Sequence, residues 1–173
     1  MNIILTGLRG SGKSKIGSIL ALKLEMNFVD IDEEIVKEEK KKIPEIIDSR
    51  GWEYFRALES KVAQKIAELK NTVISTGGGT ILDQENEKEF KKNGKIIYLY
   101  VKPEIAASRI LKDKNRPPLT NKESVEEEMK QIYKERNGRY CESASIIFER
   151  SENIEKDCEE IIALLFPLLH IEL

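Results

Sequence analysis

Three observations predict an α/β domain built on a parallel sheet. Short apolar strands alternate with helical patterns along the chain, the strands lack strict apolar–polar alternation, and the first strand runs into a glycine-rich turn. Strands covered by helices on both faces read as continuous apolar runs, and regular strand–helix alternation yields a parallel sheet with helices on both sides. The strands expected are Asn2–Thr6, Phe28–Ile31, Thr72–Ser75, Lys95–Val101 and Ser145–Phe148. Ligands in such sheets bind beyond the carboxyl ends of the strands. The polar residues following each strand are therefore the candidates for function.

After the first strand comes Gly7-Leu8-Arg9-Gly10-Ser11-Gly12-Lys13-Ser14, a gapless match to G-x-x-x-x-G-K-[ST]. Ile16, Ile19, Leu20 and Leu24 then recur at helical spacing. A strand feeding such a turn into a helix N-terminus lets backbone N–H groups wrap a polyphosphate, with the helix dipole adding a favourable field. Lys13 is placed to reach the β- and γ-phosphates, and the Ser14 hydroxyl to ligate Mg²⁺. These residues imply binding of a nucleoside triphosphate. A turn that merely joined strand to helix would not require the lysine and serine in register.

The second strand ends in Asp30-Ile31-Asp32, two carboxylates on one side of an extended segment. One suits the Mg²⁺ sphere and the other a substrate hydroxyl. The alternative is an N-cap for the following helix, to which Asp32 is well suited. Glu33 to Arg50, rich in Lys and Glu with Pro44 inside, reads as a small helical insertion. Trp52, Phe55, Val62, Ile66 and Leu69 follow at helical spacing, and Arg56 and Glu59 lie one turn apart on that helix, where an ion pair is the simplest reading.

The third strand leads into Gly77-Gly78-Gly79. More glycine than a tight turn needs suggests backbone against a ligand, or else a flexible turn. Past the fourth strand and a helix over Ile105–Leu111, the polar, turn-rich segment Lys112–Asn121 contains Arg116-Pro117-Pro118 and reads as a lid. Arg136 and Arg139 precede Tyr140 ahead of the last strand, and Ile154–Leu165 forms a final helix. Arginines that converge on a phosphate site neutralise a transferring phosphoryl group or grip a carboxylate.

The 173 residues fit one domain. A net charge of −2 gives no basic field for nucleic acid. No apolar run approaches the length of a membrane span, and the first strand at the N-terminus leaves no room for a targeting peptide, so a soluble cytoplasmic protein is expected. Cys141 and Cys158 are too few for a disulfide framework or a zinc site. The lone His170 lies near the C-terminus, and no Ser/His or Cys/His pairing suggests covalent catalysis.

Taken together, these motifs resemble the shikimate kinase family over nearly the whole chain: the phosphate loop at 7–14, Asp-Ile-Asp at 30–32, Phe-Arg-Ala-Leu-Glu at 55–59, the glycine triplet at 77–79, Arg-Pro-Pro-Leu at 116–119 and Arg-Asn-Gly-Arg-Tyr at 136–140. The resemblance implies a P-loop fold like that of nucleoside monophosphate kinases. It would be a three-layer α/β/α domain over 1–173 with a five-stranded parallel sheet, a substrate-binding insertion at 33–60 and a lid at 112–121. It implies ATP-dependent phosphorylation of the 3-hydroxyl of shikimate on the route to chorismate, by a monomer using Mg²⁺. Lys13, Asp32 and Arg116 would be catalytic. Gly10, Ser11, Gly12, Lys13, Ser14, Lys15, Arg109, Arg116 and Arg150 would bind ATP, the segment from Arg150 to Ile154 on its adenine side. Asp32, Arg56, Gly77, Gly78, Gly79 and Arg136 would bind shikimate. Ser14, with Asp30 through water, would serve the metal. Lys15, Pro118 and Gly138-Arg139 depart from the family's usual residues, and the last leaves Arg139 as a second candidate for the carboxylate. The competing readings are a kinase of another polyol such as gluconate, a nucleotide kinase, or a nucleotide-binding relative without catalysis.

Overall fold

The computed structural model describes residues 1–111 and 124–169. Five strands, β1 (Asn2–Thr6), β2 (Asn27–Asp30), β3 (Thr72–Ser75), β4 (Gly94–Tyr100) and β5 (Ile146–Glu149), form one sheet in the order β2-β3-β1-β4-β5. Every neighbouring pair is parallel, with Ile4 opposite Ile74 on one side and Ile96 on the other. Each strand lies within one residue of its expected bounds. β1 is central, flanked by strands that follow it by about seventy and ninety residues.

Alternation along β1 sorts the core into two layers. Ile4 points to the face covered by α3 (Ile43–Ala67), α4 (Gln84–Asn93), α5 (Pro103–Ile110) and α6 (Val125–Ser143), packing with Phe55, Val62, Phe90, Ala106 and Tyr140. Ile3 and Leu5 point to the other face, where Ile16 and Leu20 of α1 (Lys13–Lys23) meet Ile161 and Leu165 of α7 (Ile154–Leu169). This is the three-layer arrangement expected. Among the described residues no helix is long and apolar enough to cross a membrane.

Two features depart from the sequence reading. Helix α4 carries no apolar periodicity because only Phe90 and Asn86 are buried along it; Asp83 caps it by accepting from the N–H groups of Glu85 and Asn86. The expected insertion consists of α2 (Ile31–Glu39) and the first part of α3, and the break in the backbone falls at Gly51. There φ is 82° and ψ 169°, a conformation that L-residues avoid, and it kinks α3 between its outer turns and the part buried on the sheet.

Candidate active site

The site grows from the carboxyl ends of β1, β2 and β3. Gly12 caps α1 with φ 88°, which only glycine adopts readily, and no side chain takes the first N–H groups of the helix. Those donors face the loop's concave side, ready for an anion. The loop's carbonyls are held by cations. Lys13 Nζ donates to the carbonyls of Gly7 and Leu8 at 3.0 Å each. Arg109 donates to that of Gly10 at 3.1 Å, and Arg150 to that of Ser11 at 2.5 Å.

A cavity of about 250 Å³ over the loop is lined by Gly10, Gly12, Lys13, Ser14, Lys15 and Arg109, with Asp30 and Asp32 from β2 and α2 and Ser75, Thr76 and Gly78 after β3. The Ser14 hydroxyl donates to Asp30 Oδ2 at 2.6 Å. The other oxygen of Asp30 accepts the N–H groups of Asp32 and Glu33 at 3.0 and 3.4 Å. The cap of α2 is therefore Asp30 and not Asp32, which the sequence had favoured for that role, because the strand ends one residue before Ile31. Asp32 instead lies in the first turn of α2 and lines the cavity.

A larger cavity of about 660 Å³ opens beside the first, lined by Asp32, Arg56, Gly77, Gly78, Gly79 and Arg136 together with Arg9, Trp52 and Phe55. Asp32 and Gly78 belong to both. Arg56 Nη1 meets Glu59 Oε2 at 2.5 Å, and the buried Glu59 also accepts the Thr80 hydroxyl at 2.7 Å. None of the three glycines has a positive φ, so conformation does not explain them. Space does. A Cβ on Gly77 would collide with the Glu59 carboxylate, and one on Gly79 would stand 2.7 Å from Arg56 Cζ.

Gly78 contributes its carbonyl, which accepts from Arg136 Nη1 at 3.3 Å and from the Tyr140 hydroxyl at 2.5 Å. Arg136 and Tyr140 lie one turn apart on α6 and so share a face. Burial pushes the Tyr140 phenol up against the opposing pull of Arg136, which keeps it a proton donor at neutral pH. Arg139 faces outward instead, donating to Glu87 at 2.5 Å and Glu142 at 3.2 Å.

The expected residues other than Ser11, which is fully buried and lines neither, thus gather in two adjoining cavities, with three qualifications. Arg150 lies beneath the loop, its side chain 3% exposed and paired with Asp157 at 2.7 Å, and it does not line the phosphate cavity. Arg116 and the expected lid at 112–121 lie outside the described residues, as does His170. Arg9, Glu59 and Tyr140 join the site without having been expected there as site residues. Arg9 occupies a variable position of its motif, Glu59 acts through Arg56, with which the sequence suggested only an ion pair, and Tyr140 acts through Gly78, a neighbour that only the fold supplies.

The family model described as SKI: Shikimate kinase matches residues 9–166. A shikimate kinase of Caldicellulosiruptor saccharolyticus is 47% identical over 120 residues, covering 69% of this chain and 70% of its own. That of Caldanaerobacter subterraneus subsp. tengcongensis is 38% identical over 167 residues, covering 96% and 97%. Among solved structures, shikimate kinase from Acinetobacter baumannii in complex with shikimate superposes with a TM-score of 0.90 at 33% identity, over 99% of this chain and 95% of that one.

Proposed function

Because the chain belongs to the shikimate kinase family, we propose that it transfers the γ-phosphoryl group of ATP to the 3-hydroxyl of shikimate. One observation carries the reading: the cavity over the phosphate loop and the cavity lined by Arg56 and Arg136 meet at Asp32 and Gly78. A donor on the loop and an acceptor in the larger cavity come into contact there.

The loop's N–H groups and Lys13 receive the phosphates. Arg56, held by Glu59, and Arg136 form a bidentate-capable grip for the acceptor carboxylate, which turns the ring so that its 3-hydroxyl faces the γ-phosphorus. Asp32 accepts a hydrogen bond from that hydroxyl and takes its proton as the new P–O bond forms and the bond to the β,γ-bridging oxygen breaks, leaving ADP. Holding two reactants in line supplies most of the acceleration, since phosphoryl transfer requires little covalent work from the protein. Arg116, which lies outside the described residues, would neutralise phosphate charge on the family pattern.

The hydroxyl of Ser14, the Asp30 carboxylate bonded to it at 2.6 Å and the Ser75 hydroxyl 3.4 Å away are hard oxygen donors suited to Mg²⁺. Ser14 would hold it directly and Asp30 through water. Held there, Mg²⁺ would supply charge neutralisation to the transferring group. The family reading carries with it action as a monomer, and dependence on ATP and a small soluble acid supports a cytoplasmic setting.

An ADP-release assay with shikimate, gluconate and nucleoside monophosphates tests the proposal. Turnover with shikimate alone is expected. Turnover with gluconate or a nucleotide instead, or nucleotide binding without turnover, overturns it in favour of the corresponding rival.

A further inference from the structure

Four carbonyls of the phosphate loop are each held by a cationic side chain. Those of Gly7 and Leu8 meet Lys13, that of Gly10 meets Arg109 and that of Ser11 meets Arg150. A peptide whose carbonyl is drawn to one side presents its N–H to the other. The four contacts therefore pin the loop's acceptors, and the Ser11 N–H closes the turn on the Leu8 carbonyl at 3.1 Å, which leaves the N–H groups that open α1 as donors for an anion. Of these contacts, that of Arg150 reaches furthest along the chain. Its Nη1 bonds a residue 139 positions earlier, while its Nε is bonded to Asp157 Oδ2 at 2.7 Å.

Asp157 lies in the first turn of α7 and is 1% exposed. Its second oxygen accepts the N–H of Ser151 at 3.0 Å, which fixes the carboxylate as well as the guanidinium. Arg109 stands close enough to Arg150 for the two positive charges to oppose each other, and Asp157 offsets that repulsion. Without it, two partly buried guanidinium groups would face one another beside the loop.

We propose that Asp157 is a positioning residue of the nucleotide site, holding Arg150 on the carbonyl of Ser11 and so keeping the phosphate loop in its anion-receiving shape. The inference rests on the loop being the nucleotide site of the kinase proposed above. Arg150 accordingly supports the phosphate end of the site from beneath the loop. The C-terminal helix thereby takes part in nucleotide affinity without touching nucleotide.

Calorimetric titration with MgADP tests this, because it requires no acceptor and no turnover. Asp157→Asn keeps the shape and removes the charge, and Arg150→Lys keeps a charge but cannot span Asp157 and Ser11 at once. Both should weaken MgADP about tenfold or more, the usual scale for losing a charge-assisted hydrogen bond. Shikimate affinity, read from Trp52 fluorescence, should stay within about twofold of the parent. Asp157→Glu, which can re-form the pair, should recover most of the MgADP affinity. Lowered melting temperature with unchanged MgADP affinity would reduce Asp157 to a packing role and overturn the proposal. If Asp157→Asn fails to fold, Arg150→Lys and Asp157→Glu decide the question by the same titration. A parent protein that binds MgADP but does not phosphorylate shikimate removes the kinase reading and leaves this one to be decided by the variants.

Discussion

Arg56 and Glu59 meet at 2.5 Å on one turn of α3, the arginine side chain 37% exposed to the larger cavity and the glutamate 3%. A solvent-exposed i,i+3 pair contributes little. This one is asymmetric: its acid is sunk in the core and bonded to Thr80, while its base faces the space where an acceptor would lie. Glu59 therefore aims Arg56. Glu59→Gln should raise the KM for shikimate about tenfold, the cost of one charge-assisted bond, with the KM for ATP unchanged. Equal rises in both would show that the substitution disturbs the fold instead.

Asp32→Asn keeps the side chain's shape and removes its charge. Turnover should fall about 10²-fold or more, the range of a lost acid–base group, and ATP affinity should hold. The contrast with Asp30 sharpens the test. Asp30→Asn weakens the cap of α2 and the bond to Ser14, so it should lower the melting temperature where Asp32→Asn does not.

Arg136→Lys loses the planar fork and its bond to the Gly78 carbonyl, so the shikimate KM should rise strongly. Arg139→Lys alters only contacts with Glu87 and Glu142 on the outer side of α6 and should leave both KM values near the parent's. Steady-state kinetics on the two variants separates them. The reverse outcome would assign the carboxylate to Arg139.

Trp52 lines the larger cavity, with the Arg56 guanidinium 5.3 Å from its ring and Phe55 edge-on at 5.9 Å. A carboxylate drawn to Arg56 changes the field on the indole. Intrinsic fluorescence should shift when shikimate is added without ATP, saturating near KM if binding is at equilibrium, and gluconate should leave it unchanged. A response to ATP alone would remove this helix from the acceptor site.

Burial alone would raise the Asp157 carboxyl, but the bonds from Arg150 and Ser151 outweigh it and hold the group below its ordinary value. A carboxylate depressed on folding contributes stability in full above its unfolded pKa and loses it as pH falls through the folded one. The contribution is present at neutral pH and fades below about pH 4, the unfolded range for aspartate. Thermal melts of Asp157→Asn and the parent should converge as pH drops below that point and diverge above it. A constant gap across pH would mean that the charge contributes nothing.

The fold was legible because both-face burial leaves a plain signature. The runs at 2–6, 72–75 and 95–101 have no polar face to confuse with a loop. Helix α4 was not legible, since a surface helix anchored by one phenylalanine has no period to read. Asp30 and Asp32 carry the same side chain, and a one-residue difference in where β2 stops decides which is the cap. The glycine triplet reads as a place of close approach, but what approaches Gly77 and Gly79 is the Glu59–Arg56 pair from a distant helix. The hold of Arg150 on the loop was not legible, because neither Ser11 nor Asp157 is its neighbour in sequence. Local spacing identifies a residue's chemistry, whereas partners brought by topology decide its task.

The central position of β1 has a consequence for how the molecule is made. Its hydrogen-bonding neighbours are β3 and β4 on either side, both made after it, so β1 cannot be enclosed until Tyr100 has been added. Until β3 follows, a strongly apolar strand waits with both rims unpaired, and until β4 follows, with one, a state prone to stray association. Even after the sheet closes, Arg150 and Asp157 have yet to be synthesised. The phosphate-binding segment, made before all of its supports, is therefore among the last to acquire its working shape, and a chain truncated before α7 would carry the motif intact in sequence but unsupported in space.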